Sequence, residues 1–446
     1  MQRITWAWWA LVAAVTLAWM TAEPALFTVT GFVPIRNLLV QYSGLLTIAV
    51  MSIAMVMAAR PRWPEQRLGG LDKMYRLHKW LGITALVTAL LHWMSSNAPK
   101  WASALGLLER GAHAPRVPHA DPVERWLMEY RGAAESVGEW MFYASVLLIV
   151  VALVQRVPYR LFRRTHRILA ACYLGLVCHS VVLTTFTYWR SPVGLLVVPL
   201  MAAGVVAATL VLSGRVATGR KVGGVIESMR YFAGVRTLDI TVTVAEGWHG
   251  HEPGQFAFVT SDTTEGAHPY TFASAWTPST RRMEFVVKEL GDHTSHLRDT
   301  LHVGQPVTIE GPYGCFTFAD DCPGQVWVGG GIGISPFLAR MALLADPARR
   351  TGQSIHLFHA TADEDPDAFA KLTADASAAG VHLHLLVDRR DGFLSGDRIR
   401  AAVPAWRGTS IWYCGPAALG TILRRDFAGA GLDVGARFHQ ELFALR

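Results

Sequence analysis

Met74-Tyr-Arg-Leu-His78-Lys-Trp-Leu-Gly-Ile-Thr-Ala-Leu-Val-Thr-Ala-Leu-Leu-His92-Trp93 and Thr165-His166-Arg-Ile-Leu-Ala-Ala-Cys-Tyr-Leu-Gly-Leu-Val-Cys178-His179 are apolar stretches with a histidine towards each end. An ionisable side chain is costly in a bilayer and faces a protein interior with a partner, so each histidine marks a functional site. A lone histidine in a span reads most simply as a hydrogen-bonded structural residue; two per span, at matching depths, do not. Fourteen helical residues rise about 21 Å and thirteen about 20 Å, within a hydrocarbon core of about 30 Å. Two helices side by side then oppose His78 to His166 at one depth and His92 to His179 at the other. Two stacked bis-histidine sites suit two b-type haems, for which imidazole is a standard axial ligand. At about 100° per residue, His78 and His92 return to within roughly 40° of one face. His166 and His179 fall about 140° apart, so their rings reach around the helix or the helix departs from ideality near Gly175.

The 446 residues are 51% hydrophobic, with the excess in the first half. This predicts a membrane domain joined to a soluble one. The net charge of +7 sits largely beside apolar runs, which indicates membrane orientation and argues against nucleic acid. Five cysteines form no CxxC or zinc-like spacing, so neither a disulfide framework nor a cysteine-held metal is expected. Hydropathy predicts six spans: Ile4–Ala22, Ile35–Ala59, Tyr75–Ser95, Val137–Val154, Arg164–Thr185 and Pro192–Leu212. The first lacks a small-residue cleavage site and reads as retained. The stretch Asn97–Glu135 reads as a loop able to hold a short amphipathic helix. Arg60, Arg62, Arg67, Lys73 and Arg76 join spans two and three, Arg156 to Arg167 join four and five, and Arg215, Arg220 and Lys221 follow span six. Both termini are therefore expected in the cytoplasm, of a bacterial inner membrane, with His78 and His166 on the inner side. Arg36, at the outer end of span two, reads equally as a partner for an anion and as a snorkelling interfacial residue.

From Lys221 the pattern changes to short alternating runs (Val222–Ile226, Thr237–Val244, Gln255–Val259, Met283–Lys288, Pro306–Glu310), the signature of an antiparallel β-barrel. From about Gln325, strand-turn-helix repetition predicts a parallel α/β sheet. Its strand candidates are Gln325–Val328, Ser354–His359, Val381–Val387 and Ser410–Cys414. The expected domains are 1–214, 215–320 and 321–446. Gly329-Gly-Gly331-Ile-Gly333-Ile-Ser-Pro336 follows the first of these strands and opens a helix, which suits backbone contact with a dinucleotide pyrophosphate.

Together these residues resemble the NADPH oxidase and ferric reductase superfamily of transmembrane flavocytochromes, over nearly the whole chain. The His78/His92 and His166/His179 spacings match that family's haem-ligating spans. His268-Pro269-Tyr270-Thr271-Phe-Ala-Ser274 is similar to its flavin motif, which implies His268 near the FAD pyrophosphate, Tyr270 against the isoalloxazine and Thr271 near its reactive nitrogen. Lys288-Glu-Leu-Gly291-Asp-His293-Thr294-Ser295 resembles its Gly-Asp-Trp-Thr phosphate segment, with His293 in the tryptophan's place. Gly311-Pro-Tyr-Gly314 resembles a barrel-closing motif. Gly329, Gly330, Gly331, Gly333 and Pro336 match the nicotinamide-dinucleotide loop, and Tyr413-Cys414-Gly415-Pro416 the cysteine motif beside the nicotinamide. Phe443 resembles the aromatic that covers the flavin, followed here by Ala444-Leu-Arg446. Taken singly, His268-Pro269 also reads as a turn, Phe443 as core and Cys414 as a buried strand thiol.

The resemblance implies that NAD(P)H reduces FAD and that electrons pass through the inner and then the outer haem to an acceptor outside, with Thr271, Cys414 and Phe443 nearest the hydride transfer. Oxygen giving superoxide and a ferric or cupric chelate both remain open as acceptors. A haem subunit of a quinone-linked complex would not need the flavin and dinucleotide motifs. Ala360-Thr-Ala-Asp363-Glu-Asp365 has no arginine for a 2′-phosphate and leans towards NADH or weak discrimination. No obligate protein partner is expected.

Overall fold

In the computed structural model, residues 2–107, 121–154 and 156–441 are described. The chain divides into two units, the first comprising residues up to Leu68 with Lys73–Val216, the second Gly69–Asp72 and the residues from Ala217 on.

The long helices of the first unit are α1 (Gln2–Ala22), α2 (Phe32–Ala58), α3 (Leu71–Ala104), α4 (Arg131–Leu153), α5 (Tyr159–Leu183) and α6 (Pro192–Leu212). Among the described residues, five of them, all but α3, are long and apolar enough to cross a membrane. Helix α3 carries His78 and His92, and its polar groups bond to its neighbours. Thr84 Oγ1 accepts from Trp8 Nε1 of α1 at 2.9 Å, and Thr47 Oγ1 of α2 donates to Thr88 Oγ1 at 2.7 Å. Two of its polar residues thus serve to bind it to its neighbours. Close packing joins α4 to α5 and α2 to α6. Tyr173 of α5, fully buried, donates to Met201 O of α6 at 3.1 Å and bonds Ser52 Oγ of α2 at 2.8 Å.

Helix α3 runs past the expected end at Ser95, although Pro99 lies inside it. Proline has no N–H to give the carbonyl four residues back, here Ser95. Arg36 supplies the missing donors, from Nε to Ser95 O at 2.9 Å and from Nη2 to Ser96 O at 2.7 Å. Neither sequence reading of Arg36 anticipated this clamp. Beyond α3, Pro122–Glu129 forms the short helix allowed for in that loop, capped by Asp121, whose side chain accepts from Val123 N and Glu124 N.

The second unit begins with six antiparallel strands, β1 (Lys221–Phe232), β2 (Thr237–Val244), β3 (Phe256–Thr260), β4 (His268–Thr271), β5 (Arg282–Lys288) and β6 (Pro306–Tyr313), in the order β4-β3-β6-β1-β2-β5. Its end strands meet through a single bridge, Phe272 to Phe285. This corrects the expectation of a closed barrel: the sheet curls round its core but a laddered seam is missing. Strand β4 escaped sequence reading because Pro269 lies within it, which an edge strand tolerates.

Next come β7 (Gly324–Gly330), β8 (Ser354–Thr361), β9 (His382–Val387), β10 (Thr409–Cys414) and β11 (Phe438–Gln440), all parallel, in the order β11-β10-β7-β8-β9. Alternate residues of β7 serve opposite faces, as a period of two requires. Trp327 packs with Phe337 and Met341 of α7 (Ser335–Leu344) and with Leu372 of α8 (Pro366–Ala379), while Val326 and Val328 join Leu423 and Phe427 on the other side. Truncating a buried aromatic such as Trp327 costs about 3–5 kcal/mol.

Asp239 on β2 is largely buried, and burial pushes its carboxyl up to about 6, opposed in part by the Lys371 ammonium of α8. The folded state therefore holds the proton more tightly than the unfolded chain does. Stability falls as pH rises between about 4 and 6, and the penalty is complete above 6. Asp239→Asn should raise the stability of the second unit at pH 8 by up to about 3 kcal/mol and leave it unchanged near pH 3.5. Thermal melts of the two chains at both pH values check this; equal midpoints at pH 8 would refute it.

Candidate functional site

The four histidines meet in two pairs. Ring centres lie 5.8 Å apart for His78 and His166 and 6.2 Å apart for His92 and His179. Two imidazoles on opposite sides of one metal ion, with metal–nitrogen bonds of about 2 Å, place their ring centres about 6 Å apart. The remaining ring nitrogens are held from behind. His78 Nδ1 lies 3.0 Å from Ala54 O, His92 Nδ1 2.9 Å from Val40 O and His179 Nδ1 2.8 Å from Ala134 O. A carbonyl accepts only an N–H, so these three rings carry their proton on Nδ1 and keep the Nε2 lone pair for a ligand. The buried His166 Nδ1 has no such acceptor among the described residues; its ring stacks on Phe162 at 5.0 Å. Helix α5 is continuous through Gly175, so its two histidines reach their partners by side-chain direction and without a break in the helix. Gly175 instead receives Met141, whose Cγ lies 2.7 Å from where a Cβ would stand.

Gly138 of α4 was not foreseen as part of this site. A Cβ there would stand 2.0 Å from His179 Nδ1, so only glycine leaves the ring its place. Gly44 of α2 does the same for His92 with more room, at 3.2 Å from Nδ1. Neither position carries a sequence signal apart from being a small residue in a span.

On the antiparallel sheet, β4 presents His268, Pro269, Tyr270 and Thr271. The His268 and His293 rings stack with centres 3.5 Å apart and planes at 6°, and Tyr270 Oη lies 3.0 Å from His293 Nε2. Burial raises the Tyr270 phenol well above its ordinary value, so it stays protonated. Thr294 Oγ1 accepts from Leu290 N and Gly291 N at 2.9 and 3.2 Å and shapes the turn that carries His293 and Ser295. Thr271 is buried. Ser274 serves the sheet edge: its Oγ accepts from Glu284 N at 3.0 Å. Its carbonyl lies 3.0 Å from Nε2 of His251, whose ring stacks on Phe272 at 3.8 Å and is pulled down to about 4 by burial.

On the parallel sheet the chain runs from β7 through β8 to β9, then returns to β10 on the other side of β7. Ligands of such sheets bind where the strand order reverses, at the carboxyl ends. The two predicted loops meet there: Cys414 pairs with Gly329 in register. A Cβ on Gly333 would lie 2.2 Å from Cys414 O, and one on Gly330 would lie 2.7 Å from Pro416 Cδ. Gly331 has φ +54°, open to glycine at no steric cost. Gly415 follows Cys414, and Pro336 starts α7. Burial, with the Glu441 carboxylate, holds the Cys414 thiol well above its usual range, so it is a protonated thiol and not a nucleophile. His359 of β8, which the sequence reading placed only at the end of a strand, has Nδ1 3.1 Å from Gly329 O and is pulled down to about 4 by burial. Phe443 lies outside the described residues.

The acidic run after β8 has other employment. Asp363 pairs with Lys288 of β5 at 2.6 Å and with Arg236 at 3.4 Å. Asp365 caps α8 and accepts from Gly234 N at 2.9 Å. Glu364 pairs with Arg390 at 2.9 Å, and Arg389 and Arg390 line the same recess as Asp363 and Glu364. Two arginines from the segment after β9 thus stand beside the acids that follow β8.

Comparison with known proteins agrees with this division. Residues 43–177 match the ferric reductase like transmembrane component family, and residues 230–317 match an FAD-binding domain. An NADPH oxidoreductase of Mycobacterium tuberculosis is 27% identical over 216 residues, covering 46% of this chain and 56% of the relative. The 2-halobenzoate 1,2-dioxygenase electron transfer component of Burkholderia cepacia is 24% identical over 203 residues, covering 43% and 58%. An Amycolatopsis cytochrome P450 reductase structure is 24% identical with a TM-score of 0.43, covering 50% of this chain and 70% of that one. The chain thus spans less than two thirds of the length of these two curated relatives. It is an integral membrane protein whose matched segments are a ferric-reductase-like transmembrane component and an FAD-binding domain, and it is similar to reductases. In chain order the segment similar to the ferric reductase transmembrane component comes first and the segment similar to an FAD-binding domain follows.

Proposed function

We propose that this oxidoreductase carries electrons from cytoplasmic NAD(P)H across the membrane to oxygen, giving two superoxide per nucleotide oxidised. In this reading α3 is the sixth span, both termini are cytoplasmic, and two b-type haems are held by His78/His166 and His92/His179. The observation that carries it is the pairing of four imidazoles at metal-bridging distance, three with Nδ1 tied to a backbone carbonyl. When bound, FAD would supply the change from two-electron to one-electron chemistry, and haems held by His78/His166 and His92/His179 would supply one-electron relay.

The chain's own part is placement. The carbonyls of Ala54, Val40 and Ala134 fix tautomer and ring direction and raise ligand basicity. Gly138 and Gly44 make room for the outer rings. His268, Tyr270, Thr271 and the Gly291–Ser295 turn form the flavin side of the site. Gly330 and Gly333 let the β7 and β10 loops close on each other beneath the nucleotide, with Cys414 packed as a neutral thiol. Arg389 and Arg390 beside Glu364 support NADPH as donor at least as well as NADH.

Reduction of a ferric chelate is the second reading, favoured by the transmembrane family match. Product analysis separates the two: superoxide-dismutase-sensitive cytochrome c reduction is expected, and ferric-chelate reduction indifferent to dismutase and oxygen would replace the first reading with the second. Anaerobic NAD(P)H should also bring up the reduced b-haem band in the FAD-loaded protein. Deleting residues 443–446 should change the hydride-transfer rate or the NADPH-to-NADH preference; identical stopped-flow traces would remove Phe443 from the flavin site.

A further inference from the structure

We propose that Glu265, His268 and His293 form a site for one divalent transition-metal ion of the zinc class, and that the bound ion excludes FAD. The second half rests on the reading that places His268 against the FAD phosphates. The three residues come from separate segments: the loop before β4, the first residue of β4, and the short helix after β5. One ligand atom from each lies within 4.8 Å of the other two. Zinc takes nitrogen and carboxylate ligands at about 2.0–2.2 Å, so its tetrahedral donors stand about 3.3 Å apart. Two imidazoles on one tetrahedral ion hold their ring centres about 5 Å apart, so the His268 and His293 rings, now stacked at 3.5 Å, must part to share one. A small swing of each ring turns the two nitrogens onto one ion, and Glu265, on a loop, closes the third side. Two neutral imidazoles and one carboxylate make the His₂Glu set that zinc favours, with a fourth position for water.

The surroundings suit this role. Tyr270 Oη lies 3.0 Å from His293 Nε2, the kind of outer contact that orients a ligating imidazole. An ion held by both rings and Glu265 occupies the His268 nitrogen and denies that ring to a pyrophosphate. The ion thus acts as a lock on flavin loading.

The test uses the full haem-loaded chain in detergent, stripped of FAD. Equilibrium dialysis against zinc should find one ion per chain fewer in Glu265→Gln and in His293→Trp than in the parent. Histidines elsewhere, such as the His356–His384 pair, contribute equally to all three. Flavin fluorescence titration should show zinc weakening FAD at least tenfold in the parent, reversibly with a chelator, and leaving Glu265→Gln unaffected. Equal zinc counts in parent and variants would overturn the site; FAD affinity unchanged or tightened by zinc would overturn the exclusion. A parent chain that binds no FAD even without zinc would sink the flavin reading and the exclusion together, with the dialysis count still deciding the metal site.

Discussion

His179→Ala is expected to lower the haem content from two to one per chain, with His78/His166 still loaded. His92→Ala should do the same from the other side, since each outer imidazole has one partner at 6.2 Å. A sharper version uses a residue that ligates nothing. At Gly138 a methyl group would sit 2.0 Å from His179 Nδ1 and force the ring off the Ala134 carbonyl, whereas at Gly44 the nearest atom, His92 Cε1, is 3.1 Å away. Gly138→Ala should therefore cost the outer haem nearly as fully as His179→Ala, and Gly44→Ala should only broaden or shift its band. Pyridine haemochrome counts on the purified variants decide this. Two haems retained in His179→Ala would dismantle the pairing, and equal effects at Gly138 and Gly44 would deny the tight seat.

Gly333→Ala should nearly abolish electron entry from nicotinamide while leaving FAD bound. The added carbon meets the Cys414 carbonyl at 2.2 Å, backbone against backbone, so neither partner can turn aside. The β7 and β10 loops must separate, and a displacement of about 1 Å in a reacting pair costs on the order of 100-fold. Flavin occupancy should hold because the strands that carry His268 and Thr271 belong to the other sheet. Stopped-flow flavin reduction at saturating NADPH would show the loss; a rate within twofold of the parent would mean that the nucleotide does not use this crevice.

Much of this was legible in the residues, for physical reasons that also mark where legibility ended. The spacing of His78 with His92 and of His166 with His179 exposes the pairs because helical rise converts sequence separation into depth. It does not expose what stands behind each ring, since the acceptors at Ala54, Val40 and Ala134 are carbonyls, which every residue has. Alternation revealed five of the six antiparallel strands. It missed β4, whose four residues are the stretch that resembles a flavin motif and include a proline. The acids after β8 show the opposite failure: as a string, Asp363-Glu-Asp365 looks like ribose recognition, and only folding reveals that Lys288, Gly234 and Arg390 already engage them. Arg36 belongs with them. A charged residue in a span prompts a search for a charged partner, whereas this one completes the hydrogen bonding that Pro99 interrupts.

Asp363 also sets how firmly the two sheets of the second unit are moored. One of its arms, Lys288, is only 10% exposed, and the other, Arg236, is 54% exposed. Screening by salt reaches an open pair long before a sheltered one. Rising ionic strength should thus slacken this mooring in two stages, the outer line first, so that moderate brine loosens the seam between donor and flavin halves while the inner line still keeps them berthed.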